Sequence, residues 1–268
     1  MRLCTLGDLL LDVIVRLAQP LAGGTDATAE TRAGAGGQAA NVAAWAAELG
    51  ADARFVGKRA DDEAGRLVTQ ELERRRVAVL GPAVRGRNGV VVALVGPDGD
   101  RAMATDRGAA PTLSAEDLEH SWFDGCAHLH LSGYSVMSSP IDGAALHAAQ
   151  LVRAGGGSVS VDLASVSVIR GFGAERLRAR LAELAPNVVF ANEQELEALG
   201  AEPSAEVLVV KRGARGFSVG GREYAAAPAD VVDTTGAGDA LAAGFIVGGA
   251  ALAAETAARC IARLGAMP

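Results

Sequence analysis

Seven consecutive residues, Asp233-Thr234-Thr235-Gly236-Ala237-Gly238-Asp239, set two glycines and a carboxylate at the head of the apolar stretch 240–249. Glycine at 236 and 238 lets the backbone turn tightly and bring its N–H groups within reach of an anion. A helix starting there points its unsatisfied donors and the positive end of its dipole at the same spot. Asp239 then falls in the first turn. A carboxylate there can accept the proton of an attacking hydroxyl while the amides hold charge on a transferring phosphoryl group. Donors aimed at developing charge are worth about 2.7–4 kcal/mol each, and a general base roughly 10²–10⁴ in rate. The helix dipole adds about 0.3–2 kcal/mol, so amides and carboxylate dominate. The same pattern also suits an ordinary glycine-rich loop whose aspartate merely stabilises its helix.

A second glycine pair leads into another helix at Gly36-Gly37-Gln38-Ala39-Ala40-Asn41-Val42-Ala43. Gly7 and Asp12 precede it; Asn192-Glu193-Gln194-Glu195 and Lys211-Arg212-Gly213-Ala214-Arg215-Gly216 follow far along the chain. Taken with 233–245, this set resembles the two signature regions of the ribokinase-like, or PfkB, carbohydrate kinase family, in the expected order over nearly the whole chain. One departure is Ala60, where the family pattern usually has a glycine before the acidic pair, here Asp61-Asp62.

The resemblance implies an ATP- and Mg²⁺-dependent phosphotransferase acting on a sugar hydroxyl. In it Asp239 would be the base, and Gly236, Ala237 and Gly238 the anion hole. Asp12, Gly36, Gly37 and Asn41 would hold substrate hydroxyls, which carboxylate and amide groups suit. Asn192 and Glu195 would support the magnesium–phosphate end through water. Lys211, Gly213 and Gly216 would lie against the nucleotide. Asp233 and Thr235 fall where some relatives bind a monovalent cation such as K⁺. Plainer roles exist for several: Asp12 as a loop cap, Asn41 as a polar residue near a helix start, Glu193 and Glu195 as partners of a helix dipole.

Other motifs lead elsewhere. Gly34-Ala35-Gly36-Gly37-Gln38-Ala39 formally satisfies a dinucleotide fingerprint, but residues 25–32 before it are polar, not a buried strand. Gly57-Lys58 is followed by Arg59, so no Walker loop exists and any kinase chemistry needs another anion hole. His128 and His130 share a strand face, yet no cysteine or carboxylate lies close in sequence to complete a metal set. Arg107, after the hairpin, could meet an acidic or phosphorylated substrate when the lid closes, or be a solvated turn arginine. Arg74-Arg75-Arg76 reads as a solvated helix end.

The elements that position these residues alternate. Strand-like segments at 3–6, 53–57, 127–131, 158–161, 188–191 and 207–210 alternate with helical ones at 39–49, 63–76, 141–153 and 174–184. Such alternation implies βαβ units on a mostly parallel sheet. Two stretches break it: 13–33 lacks helical periodicity, and 88–95 with 101–105 reads as a hairpin about Gly96-Pro97-Asp98-Gly99. The expected fold is therefore α/β. The family resemblance makes it a three-layer α/β/α core with a small β-sheet lid from about 13–35 and 86–107, in one domain over 1–268.

Composition agrees. Half of the 268 residues are apolar, enough to cover both faces of a sheet. The net charge of -7, with no basic stripe, argues against nucleic acid as partner. Cys4, Cys126 and Cys260 show no paired spacing and read as reduced thiols. The uncharged apolar run 240–254 is shorter than the roughly 20 residues that cross a bilayer. Asp8 and Asp12 interrupt any signal-like N-terminus, so a cytoplasmic location away from membranes is expected. Two other functions fit the same residues: a nucleoside kinase, or a non-catalytic sugar or nucleotide sensor. An exposed edge of the lid would invite a homodimer.

Overall fold

The computed structural model describes residues 1–24, 26–98 and 101–268, with Arg101 as backbone alone. Nine strands form the main sheet in the order Arg222–Tyr224, Phe217–Val219, Val207–Lys211, Val188–Asn192, Ser158–Asp162, His128–Ser132, Arg2–Leu6, Asp52–Val56 and Ala78–Leu80. Seven of them run parallel, and the last two along the chain close one edge as antiparallel hairpins. The parallel strands are Val- and Leu-rich and buried on both faces, as βαβ crossovers require.

Helices Ile141–Ala154, Ala174–Leu184 and Glu193–Leu199 cover one face. Gln38–Glu48, Glu63–Arg74 and the stretch Ala237–Ile261 cover the other. Gln38–Glu48 buries Asn41, Trp45 and a run of alanines, small side chains that let it lie close to its neighbours. Gly50, at φ 89°, ends it in a conformation that glycine adopts without penalty.

The stretch Ala237–Ile261 is not one rod. Gly248 and Gly249 leave helical geometry, with φ -149° and 78°. A Cβ built on Gly244 would lie 2.7 Å from both Leu252 O and Thr256 Oγ1. The chain therefore doubles back, and the second half crosses the first at Gly244. By residue count the stretch is long enough for a bilayer. Broken there, neither half has the ~20 residues a span needs.

Four strands form a separate sheet in the order Ala29–Gly36, Leu10–Leu17, Asn88–Val95, Arg101–Gly108. The first strand of this lid starts at Leu10, three residues earlier than the periodicity of 13–33 indicates. The outer pair is the expected hairpin; its turn contains Gly99, which lies outside the described residues. Register places Asp12 opposite Val91, and Ala93 opposite Met103. Asp12, Ile14, Val91, Ala93 and Met103 together line a cavity under the lid.

Candidate active site

Parallel strands end together, so residues just past their carboxyl ends share one edge of the sheet, the usual place for a ligand. Asp162, Asn192 and Lys211 are each the last residue of a strand there, and Asp8 follows the first strand. The 233–239 loop and the Gly36-Gly37 turn close over this edge.

Asp233 shapes the loop. Its Oδ1 accepts the Thr235 N–H at 2.9 Å and the Thr235 hydroxyl at 2.6 Å, and its Oδ2 accepts the Gly265 N–H at 3.0 Å. Gly236 caps the following helix at φ 76°, and a Cβ there would lie 2.5 Å from that of Ala266. The Ala237 N–H closes the turn onto Thr234 O at 3.3 Å. Among the described residues the amides of Gly236, Gly238 and Asp239 find no acceptor. Three donors at one helix start are thus left for an anion, with the Asp239 amide in place of the expected Ala237, whose N–H is spent on the turn.

Asp239 is 9% exposed and accepts a hydrogen bond from Asn41 Nδ2 at 2.7 Å. Burial pushes its carboxyl up to about 7; the Asn41 bond and Lys211 pull it down, while Asp162 and Asp12 push it up. Asn41 Oδ1 is buried with no partner, as is Gln38 Oε1 one turn earlier. Unpaired buried acceptors are costly, and a substrate hydroxyl would satisfy them. Asp12 packs on the Cα of Gly36, where no Cβ fits, and burial raises it to about 6. Gly37, at φ 102°, likewise leaves no room for a Cβ against Asp8 O.

Lys211 reaches across the sheet edge to Asp162, with Nζ at 2.6 and 2.9 Å from the carboxylate. A Cβ on Gly238 would lie 3.3 Å from the same nitrogen. Asn192 and Glu195 bind each other: Asn192 Oδ1 accepts the Glu195 N–H and Glu195 Oε2 accepts the Asn192 N–H, both at 2.8 Å. This capping box is the plainer role weighed for Glu195. Glu195 is nonetheless buried beside Lys211, and burial raises its carboxyl against the pull of that ammonium.

Three cavities border the loop, and two of them reach the substrate and nucleotide residues expected from the sequence. One of about 550 Å³ is bounded by Lys211, Gly213, Gly216, Thr234, Ala237 and Gly238, with alanines of 226–229 and 254–258 as its apolar wall. The other, about 270 Å³, lies under the lid, with Asp12, Thr235, Arg32 and Arg74 among its lining residues. The structure thus gathers Asp12, Gly36, Gly37, Asn41 and Asp239 on one side, and Lys211, Gly213 and Gly216 on the other. The turn 236–238 stands between.

Arg107 is already engaged. Its Nε and Nη2 donate to Asp8 at 2.6 and 2.9 Å, and its guanidinium lies over Tyr134. His128 and His130 are buried on serines: His128 on Ser158 and Ser160, His130 on Ser160, at 2.7–2.8 Å. Burial lowers them to about 3 and about 4. Sequence reasoning passed over Asp162 and Gln38. Asp162 carries no motif of its own; its position as the last residue of a buried strand was the available signal.

A glycine turn with free amides, a buried carboxylate at its end and a cavity on each side define a phosphotransferase of α/β type. The profile of the pfkB family carbohydrate kinases matches residues 1–267. The chain is 32% identical over 260 residues to the ATP-dependent ribose-1-phosphate kinase of Halopiger xanaduensis, covering 91% of this chain and 83% of that one. Among solved structures, adenosine kinase from Sinorhizobium meliloti superposes with TM-score 0.84 at 26% identity, over 100% of this chain and 95% of that one. A sugar kinase from Pyrococcus horikoshii solved with ATP gives TM-score 0.83 at 21% identity, over 99% and 95%, a likeness of fold. The chain belongs to the pfkB family and is a carbohydrate kinase.

Proposed function

We propose that Asp239 is the general base that moves the γ-phosphoryl group of ATP onto a hydroxyl of a sugar derivative. The observation that carries this is its place: buried, ionising near neutrality, tied to Asn41 and next to a turn with unpartnered amides that borders both cavities. The acceptor hydroxyl, held by Asp12 and by the free oxygens of Asn41 and Gln38, gives its proton to Asp239 as its oxygen bonds to phosphorus. The bond between that phosphorus and the β–γ bridging oxygen breaks, and ADP leaves. The amides of Gly236, Gly238 and Asp239 meet the charge on the transferring group. Closure of the lid keeps water from competing.

ATP would occupy the larger cavity, with Gly213 and Gly216 along its wall. Mg²⁺ bound with ATP supplies neutralisation across the phosphates. Among the described residues no three acidic, cysteine or histidine side chains cluster as a metal cage. That suits Mg²⁺, which keeps its waters and leans on one or two carboxylates plus phosphate; Asn192 and Glu195 would support it in this way. A cation such as K⁺ at Asp233 and Thr235 would have to share a carboxylate that already clamps the loop.

The acceptor we favour is itself anionic, a sugar phosphate. Arg32 and Arg74 reach the cavity under the lid, and neither has a carboxylate partner among the described residues. The Halopiger relative acts on ribose 1-phosphate. A nucleoside acceptor is the second reading, favoured by the likeness to adenosine kinase; among the described residues no aromatic side chain lines the cavity to stack on a base, which weighs against it. We place the kinase in the cytoplasm, with a homodimer through the open edges of the outer lid strands. ADP release, measured with ATP and Mg²⁺ across sugars, sugar acids, sugar phosphates and nucleosides, tests the assignment. A sugar phosphate should give the highest kcat/KM. Ligand binding without ADP from any acceptor would mark a sensor and overturn the proposal.

A further inference from the structure

We propose that Asp162 is a positioning residue for phosphoryl transfer, holding the Lys211 ammonium beside the glycine turn where the transferred group must pass. This rests on the placement of nucleotide and base proposed above.

Lys211 and Asp162 end strands that are not neighbours; Val188–Asn192 runs between them. The lysine stem must therefore lie across the sheet edge to make its two contacts of 2.6 and 2.9 Å. That path brings Nζ against the Cα of Gly238, whose amide is unpartnered. Lys211 lines the nucleotide cavity, whereas Asp162 is fully buried and absent from its wall. Asp162 can thus act on phosphate only through Lys211.

An ammonium on a four-carbon stem has no fixed direction, and burial without a partner favours its neutral form. Burial does lower Lys211 here, but Asp162, followed by Glu195, more than restores it, and the net shift is upward. The carboxylate therefore does two things. It keeps the amine charged and sets where that charge sits. Free of Asp162, the ammonium would lose both of its direct contacts and keep only the fields of Glu195 and Asp239.

Steady-state kinetics on the full chain with its best acceptor test this. Lys211→Met should lower kcat by ~10²–10³-fold, the loss typical of one missing donor to transition-state charge. Asp162→Asn should lower kcat by ~10–10²-fold while the acceptor KM stays within about threefold. The double variant should be no slower than Lys211→Met alone, because Asp162 has nothing left to position. Losses that multiply, or wild-type kcat in either single variant, overturn the proposal. Should Asp162→Asn fail to fold, Asp162→Glu serves instead: its longer side chain displaces the ammonium and should cost ~10-fold in kcat, with a wild-type rate again overturning it. A wild-type chain that transfers no phosphoryl group would refute the proposed site as a whole. An active wild type with an equally active Lys211→Met refutes only this inference.

Discussion

Asp239 answers to four neighbours, Asn41, Asp162, Lys211 and Asp12, as well as to its burial. Replacing it with asparagine removes the proposed base and should lower kcat by ~10²–10⁴-fold while ATP still binds. Because its carboxyl is raised to about 7, turnover should fall about tenfold per pH unit below that point. Asn41→Ala removes a bond that favours the ionised form, so the acid limb of the rate profile should move to higher pH. Stability follows the same shift. The folded chain holds this proton more tightly than the unfolded one, whose ordinary value is 3.8. The contribution is fully present below that value and is lost as pH rises through about 7. Asp239→Asn, uncharged throughout, should melt higher than wild type at pH 8 and show no such gain below about pH 4, as thermal unfolding would reveal. Asp239, Asn41 and both glycine pairs were legible in the sequence because their chemistry is local. Asp162 was not, since its partner lies 49 positions away and only the sheet order joins them.

At the scale of elements, most strands and helices could be read from periodicity, and the misses have physical causes. The short strands Phe217–Val219 and Arg222–Tyr224 are too brief to show alternation. The reversal at Gly248-Gly249 hid inside an apolar run that composition cannot distinguish from one helix. Two glycines test the packing. At Gly37 the left-handed backbone and the nearby Asp8 carbonyl both exclude a side chain. Gly37→Ala should cost more than about 1 kcal/mol, read from denaturant unfolding. Gly244→Val should cost about 1–3 kcal/mol by forcing the two helical arms apart.

Over the whole molecule, lid and core meet at Asp8 and Arg107, a nearly buried pair in which each charge satisfies the other. The sequence suggested Arg107 as a cation waiting for substrate; the contact with Asp8 was out of reach because it links positions 99 residues apart. Arg107→Ala would leave Asp8 buried and alone, and should destabilise the chain by about 3 kcal/mol in denaturant melts. On the proposed assignment, loss of the pair should also raise the acceptor KM more than that for ATP, since lid residues line the proposed acceptor cavity and, among the described residues, not the nucleotide one.

The doubling back at Gly248-Gly249 bears on how the catalytic turn is aimed. Because its arms touch through a glycine with no slack, the turn rides on a stiff wedge instead of a free rod. A wedge braced in this way would hold the turn's amides in place for an incoming anion and leave less ordering for its binding to accomplish.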